Sequence, residues 1–504
     1  MKVISTLIGL AALPLAAQVL TSQYDNGRTN ATVHETVLSP ANVNRQQFGK
    51  IFSYRVDGDV YAQPLYLPNV EVPGRGTHNV IYVATEHDSV YAFDAADGSA
   101  PPLWHVNFLR RGVTTVPADD VRCPFIRPEI GITPTPAIDL PSGTLYVLAR
   151  TKENGVWVQK LHALAITTGA EKFGGPVEIR AAGFEPLHEL PRAGLLVANG
   201  QVYLSWGSSC DVAPYHGWVM AYDAQKLTRT AIFNTSPDAG ESGIWQSDDG
   251  PAADAEGNVY AITGNGKFTL PAGGRDYGDT ALKLSLGPGG LEIRDYFTPF
   301  HESSMNAEDQ DFGSGGPVVL PDQPGGNPHL LLAGAKDGVL YLLNRDRMGK
   351  YHAGSNSHAL QSYKFRDGIY AAPAYWNGHV YVLPSREWLR DVPLEGGTLH
   401  FEAMKSGTPR FGNAGANPTI SADGPRNGIV WVIESKTWNG GDQPAILHAY
   451  DAADVSHELY NSELLASRDR AGLTLRFTIP TVVNGRVYID AKGEIDVYGL
   501  LRPR

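Results

Sequence analysis

The chain has 504 residues, of which 55 are glycine and 35 proline, with 42% hydrophobic, 10% aromatic and 19% charged residues. That is too apolar for a disordered chain and too rich in turn formers for a helical bundle or coiled coil, so an all-β protein with many tight turns is the leading class. With 53 acidic against 41 basic residues, a formal net charge of -12, there is no basic field to gather phosphates, which argues against a nucleic-acid partner.

The N-terminus, MKVISTLIGLAALPLAAQ, places Lys2 before an apolar run and small residues at Ala16 and Ala17. It reads as a signal peptide over residues 1–17, which makes the mature chain, 18–504, secreted or periplasmic. No later segment has the uninterrupted apolar length of a membrane span, and no cysteine follows the apolar run to carry a lipid. Cys123 and Cys210 are the only cysteines, which leaves room for one bridge in an oxidising compartment.

From residue 48 onward the pattern is repetitive. A strand reading hydrophobic-Tyr-hydrophobic recurs, with register residues Tyr82, Tyr146, Tyr203, Tyr260, Leu331, Tyr381, Trp431 and Tyr488, separated by 50 to 71 residues. A second strand follows each after a turn and often ends in Ala-aromatic-Asp-Ala, as in VYAFDAADG, VMAYDA and LHAYDA. Each register strand is preceded by another short strand. The spacing suits four-stranded blades, and eight units fill the mature chain. The expected fold is a single-domain, eight-bladed β-propeller, with seven blades as the alternative count. The eighth unit runs out of chain before its outermost strand; Phe48 to Val56 is the expected substitute, closing the ring and removing an exposed edge.

The repeats resemble those of the pyrroloquinoline quinone (PQQ) propeller family, whose blades carry an Ala-hydrophobic-Asp-x-x-Thr-Gly-x-x-x-Trp signature. AFDAADGSAPPLW, ending at Trp104, is the nearest match, with Asp97 in place of threonine. The segment GIWQSDDGPAADAEGNVYAITGNG is similar to the quinoprotein alcohol dehydrogenase segment that joins a tryptophan to a Gly-Asn-Gly turn. That resemblance makes Trp245 the floor on which the flat cofactor stacks and Asn265 a metal ligand. Trp245 equally suits a packed propeller core, and Gly264-Asn265-Gly266 is also a hairpin-turn composition.

EDQDFGSGGPVVL and AGAKDGVLYLLNRDRMGK extend the resemblance. They put Asp311 on the family's general base, beside the metal, and Lys336 on the basic residue that contacts the quinone. Gln310 stands where the family usually has tryptophan, and Gly313 where lanthanide-using members carry an aspartate, so calcium is the implied metal. A solvated acidic loop and a hairpin-turn lysine are the plainer readings of Asp309, Asp311 and Lys336. Asp211 lies near the family's metal-binding glutamate, with a shorter side chain and one extra residue intervening. Asp211, Asn265 and Asp311 would thus supply part of a calcium shell that cofactor oxygens complete. Family enzymes carry a disulfide between adjacent cysteines above the cofactor; here a Cys123–Cys210 bridge between neighbouring blades would roof the same cavity or simply tie two loops.

His162, His400 and His448, each directly after leucine, read as one structural register position. No zinc-protease, covalent-haem or nucleophile-elbow motif is present, so a dehydrogenase here would pass its electrons to a separate acceptor. Asn30 and Asn234 open glycosylation acceptors in a eukaryotic host. The leading expectation is an exported dehydrogenase oxidising a small-molecule alcohol or sugar hydroxyl with PQQ and calcium. The alternatives are a noncatalytic propeller scaffold with a protein partner and a carbohydrate-active enzyme using acidic residues on the central face.

Overall fold

The computed structural model describes residues 17–247, 249–436 and 442–502, and these form eight sheets arranged in chain order, antiparallel except where the short strand Ala31–Thr32 pairs parallel with Thr419–Asp423. The blades occupy residues 65–107, 113–178, 189–234, 252–297, 318–364, 374–406, 419–461 and 481–500. The fold is an eight-bladed β-propeller. Strand Phe48–Arg55 pairs antiparallel with the last strand, Glu494–Leu500, as the outermost strand of blade eight. Of the expected leader, 1–17, residues 1–16 lie outside the described residues.

The register residues all fall on the second strand of their blades, each 3% exposed or less. Their hydroxyls explain the companion motif. Tyr82 donates to the Ile166 carbonyl of blade two at 3.0 Å, Tyr146 to Ala224 of blade three at 2.6 Å, Tyr381 to Ala452 of blade seven at 2.8 Å, and Tyr488 to Ala95 of blade one at 3.3 Å. The acceptor is thus the turn that ends the third strand of the next blade, commonly the final alanine of Ala-aromatic-Asp-Ala. The aspartate before it accepts the backbone N–H two residues on, at 2.9 to 3.0 Å in Asp94, Asp223 and Asp451, and holds the turn open for the incoming tyrosine. Blades one, two and six are stapled to their successors in this way, and Tyr488 staples eight back to one; the Tyr260 hydroxyl instead donates to Asp254 of its own blade.

His162 and His448 share a third-strand position and each pairs with a glutamate, Glu171 and Glu458. His400 does not. It follows the short strand Thr398–Leu399 at the blade edge and pairs with exposed Glu402, because the Leu-His dipeptide recurs there on a different strand of its blade. Asn30 is fully buried, with its amide donating to the Pro418 carbonyl, so it is no glycosylation acceptor in the folded chain.

The N-terminal segment fills the axis of the ring. Residues 19–30 hydrogen-bond to the innermost strand of every blade in turn: Val19 to Tyr66, Leu20 to Ile138, Asn26 to Val197 and to Ala253, Gly27 to Val319, Thr29 to Tyr375 and Asn30 to Ile420. For blade eight the Tyr24 hydroxyl donates to Pro480 O and accepts from Val482 N, both at 2.8 Å. Inner strands of a propeller would otherwise leave backbone groups facing the channel, and this plug satisfies them. Arg28 anchors it, fully buried, with hydrogen bonds to the carbonyls of Ser22, Leu195 and Pro251 and to the Thr21 hydroxyl.

Candidate functional site

A half-open cavity of about 300 Å³ lies among the loops at one face of the ring, of a size that holds a small organic ligand. Cys123, Cys210, Asp211, Trp245, Asp311 and Lys336 all line it, although they come from five well-separated stretches of sequence. Plug residues Ser22 and Arg28 pack against Gly194 and Gly250, close in sequence to Arg192 and Ser247 of the cavity wall, so the plug closes the channel behind it.

Trp245 is laid over backbone. A Cβ built on Gly207 would sit 3.1 Å from the indole Cδ2, and one on Gly264 would sit 3.0 Å from Cδ1 and 2.2 Å from Asp311 Oδ1. Only glycine lets these strands approach the ring so closely. The indole is half-buried and lines the cavity. It therefore has both the support and the exposure that a stacking floor needs.

Asp211 follows a sharp turn. Strand Gln201–Ser208 ends, and Cys210 and Asp211 both adopt left-handed backbone, φ 55° and 54°, an uncommon conformation for side chains of this kind. The turn is held by Asp211 N donating to Ser208 Oγ at 2.9 Å and by the Cys123–Cys210 disulfide, which links the loop between Val113–Pro117 and Glu129–Ile130 of blade two to this one. The Tyr215 hydroxyl donates to Asp211 Oδ1 at 2.8 Å. Burial pushes the Asp211 carboxyl above the usual range; Tyr215 opposes this, nearby Asp311 adds to it, and Lys336 opposes it.

Lys336, Asp309 and Asp311 form one ionic knot. Lys336 Nζ donates to Asp309 Oδ1 at 3.0 Å and to Asp311 Oδ2, and its backbone N–H donates to Asp311 O at 2.9 Å. Burial alone would lower the lysine's pKa, but the two carboxylates outweigh it and hold the ammonium above its ordinary pKa. Asn265 stands behind the knot rather than on the cavity wall: its backbone N–H donates to Asp311 Oδ1 at 2.6 Å and its amide to Asp309 Oδ1 at 2.7 Å. Asp279, buried behind Asp311, accepts from Phe312 N at 2.9 Å; burial, reinforced by Asp311, raises its carboxyl far above the usual range.

The donor set accommodates a hard cation only in part. The Asn265 amide oxygen is buried and has no hydrogen-bond partner, and Asp211 and Asp311 offer carboxylate oxygens in the same electrostatic neighbourhood. Among the described residues, no three histidine, cysteine, aspartate or glutamate side chains are grouped to hold a metal. A cation here fits when a bound ligand contributes further oxygens.

Sequence reasoning missed Arg192, Arg476, Phe125, Phe477 and Tyr370, which line the same cavity. These are single residues in loops outside the repeat, so no spacing marked them.

No family model matches the sequence, and no curated protein matches it. Solved structures do. A quinohemoprotein alcohol dehydrogenase from Pseudomonas putida HK5 is similar with TM-score 0.66 at 15% identity, over 97% of this chain and 82% of that one. One from Comamonas testosteroni gives 0.64 at 16% identity, over 96% and 80%. A europium-containing methanol dehydrogenase gives 0.63 at 13% identity, over 96% and 98%. BamB from Moraxella catarrhalis gives 0.54 at 14% identity, over 90% and 99%. The chain has the fold of the PQQ-type propeller enzymes, and at these identities the likeness concerns the fold alone. Among the described residues no helix is long and apolar enough to cross a membrane.

Proposed function

We propose that this protein is an exported dehydrogenase that binds PQQ together with calcium and oxidises the hydroxyl of an alcohol or sugar. The observation that supports this is the convergence of Trp245, the Cys123–Cys210 bridge, Asp211, Asp311 and Lys336 on one cavity, with Asn265 tied to Asp311. Trp245 and the disulfide would hold the flat cofactor, and Asp211, Asn265 and Asp311 would hold the cation. Bound PQQ supplies an electrophilic carbon that accepts a hydride, and calcium polarises the carbonyl it belongs to.

The chain's own part is proton handling and positioning. Each Asp311 oxygen has one donor, Asn265 N on Oδ1 and Lys336 Nζ on Oδ2, which fixes the carboxylate's orientation toward the cavity while leaving lone pairs to take the substrate hydroxyl proton. Lys336 gives the developing negative charge a buried ammonium partner. The apolar surface that predominates in the lining lowers the polarity around the reacting atoms. The electrons leave to a separate acceptor.

A scaffold propeller shares this fold, but gives no account of a buried lysine–aspartate knot opening into an apolar cavity. Titration calorimetry of the metal-stripped protein with PQQ, with and without calcium, tests the reading. Calcium-dependent binding that the Asp211→Ala/Asn265→Ala variant loses is expected; a folded wild type that binds no PQQ overturns it.

A further inference from the structure

His162 and His448 occupy one register position in blades two and seven, yet the two blades treat the same side chain differently. His448 is engaged through both ring nitrogens, Nδ1 with Glu458 at 2.7 Å and Nε2 with Glu434 at 3.4 Å. Glu434 stands on the neighbouring strand, two residues beyond Val432, which is directly opposite His448. In blade two Val147 is opposite His162, so the matching position is Ala149, whose methyl group offers the imidazole no acceptor. A half-open cavity of about 550 Å³ between blades one and two is lined by both Ala149 and His162. It shares no residue with the cavity around Trp245 and is the larger of the two.

The His162 side chain is only 5% exposed and is held in one pose. Phe108 lies flat on the ring, with centroids 3.7 Å apart and planes 12° from parallel, and Nδ1 is tied to Glu171. Burial keeps the imidazole pKa below its ordinary value, with Glu171 opposing. At neutral pH the ring is therefore uncharged, its proton on Nδ1 against Glu171 and a lone pair on Nε2. Nε2 has no hydrogen-bond partner among the described residues and borders the space that Glu434 fills in blade seven. A fixed, buried acceptor costs free energy unless something donates to it.

The rest of the lining says what the donor carries. Lys160 Nζ donates to Glu153 Oε1 at 2.5 Å, which also accepts from Thr151 Oγ1 at 3.1 Å, and Arg110 stands at the exposed edge. Lys160 and Arg110 balance Glu153 and Glu171, so the cavity offers donors and acceptors with no net charge to favour an ion. Hydroxyls serve as donor and acceptor at once and match such a set. Most of the remaining wall is apolar, as the C–H faces of a sugar ring require, and the volume lies in the range of small-molecule sites.

We propose that the cavity between blades one and two is a second binding site, for an uncharged saccharide, one of whose hydroxyls donates to His162 Nε2. The site is separate from the Trp245 cavity and does not rest on the dehydrogenase reading.

The full chain is titrated calorimetrically with D-glucose, maltose and myo-inositol, with D-glucuronate and D-glucosamine as charged controls. Ala149→Glu installs the closure of blade seven, His162→Phe keeps the stacked ring without its acceptor, and Trp245→Ala alters the other cavity. Saturable binding of an uncharged probe is expected, weakened about fivefold or more in Ala149→Glu and in His162→Phe and unchanged in Trp245→Ala. Nitrogen NMR of the wild type should show His162 protonated on Nδ1, with the Nε2 resonance shifting as the probe saturates, and this decides even where a variant fails to fold. No saturable binding of any uncharged probe to the folded wild type overturns the proposal, as does binding that both blade-two variants retain. Binding lost in Trp245→Ala and kept in Ala149→Glu places the sugar in the other cavity and overturns it equally. Tighter binding of either charged control refutes the claim that the ligand is uncharged.

Discussion

Glu189 offers the sharpest test of how this fold buries charge. Its side chain is fully buried on the two-residue strand Glu189–Leu190. One oxygen accepts from Trp218 Nε1 and from His216 N, both at 3.0 Å, and the other has no hydrogen-bond partner. Burial, only partly opposed by those donors, pushes its carboxyl up to about 9 from the ordinary 4.5. Between those two values the folded chain keeps a proton that the unfolded chain releases, so stability is full below about pH 4.5 and falls as pH rises toward 9. At pH 7.5 the loss spans about 3 pH units, or about 4 kcal/mol at 1.36 kcal/mol per unit. Glu189→Gln keeps an oxygen for both donors and removes the titration. An unfolding entropy of about 2.1 cal/mol/K per residue gives this chain about 1 kcal/mol/K, so the variant should melt about 4 °C above wild type at pH 7.5 and within about 1 °C of it at pH 5. Differential scanning calorimetry at one scan rate across that pH range reads the difference. A midpoint gap that does not change with pH would refute the burial argument.

Other outcomes follow from single contacts. Gly264→Ala should leave the blades folded but abolish PQQ binding, because the new methyl collides with Asp311 Oδ1; calorimetric binding indistinguishable from wild type would break the claim that Trp245 and Asp311 are packed over that backbone. Arg28→Ala removes a buried donor from the carbonyls of Ser22, Leu195 and Pro251 and should cost about 3 to 5 kcal/mol, seen as a midpoint lowered by about 3 to 5 °C and faster proteolysis within residues 17–31. The Cys123→Ser/Cys210→Ser variant opens a loop of 87 residues, worth about 4.6 kcal/mol on loop-closure entropy, and should weaken calcium-dependent PQQ binding as well as lower the midpoint. A changed midpoint with unchanged binding would make the bridge a loop tie only. Asp311→Asn should eliminate dye-linked oxidation while PQQ still binds; retained turnover would remove Asp311 as the base.

What the sequence discloses depends on whether a structural job repeats. The stapling tyrosine and its acceptor turn recur at four blade junctions, so Tyr82, Tyr146, Tyr381 and Tyr488 announce themselves as periodicity. Asp211, Trp245, Asn265, Asp311 and Lys336 break the repeat, and a resemblance to a known family was needed to single them out. Arg192 and Arg476 break it equally but sit in no such motif, and only the ring closing in space brings them to one wall. The plug is hidden for a different reason. Val19, Leu20, Gly27, Thr29 and Asn30 meet the inner strands through backbone groups, which any sequence possesses, and so leave no side-chain pattern to read. His400 shows the opposite failure, where a Leu-His dipeptide repeated without its strand position. Side-chain periodicity therefore records what each blade does for its neighbour, whereas a site assembled once, from loops of several blades, is written only in three dimensions.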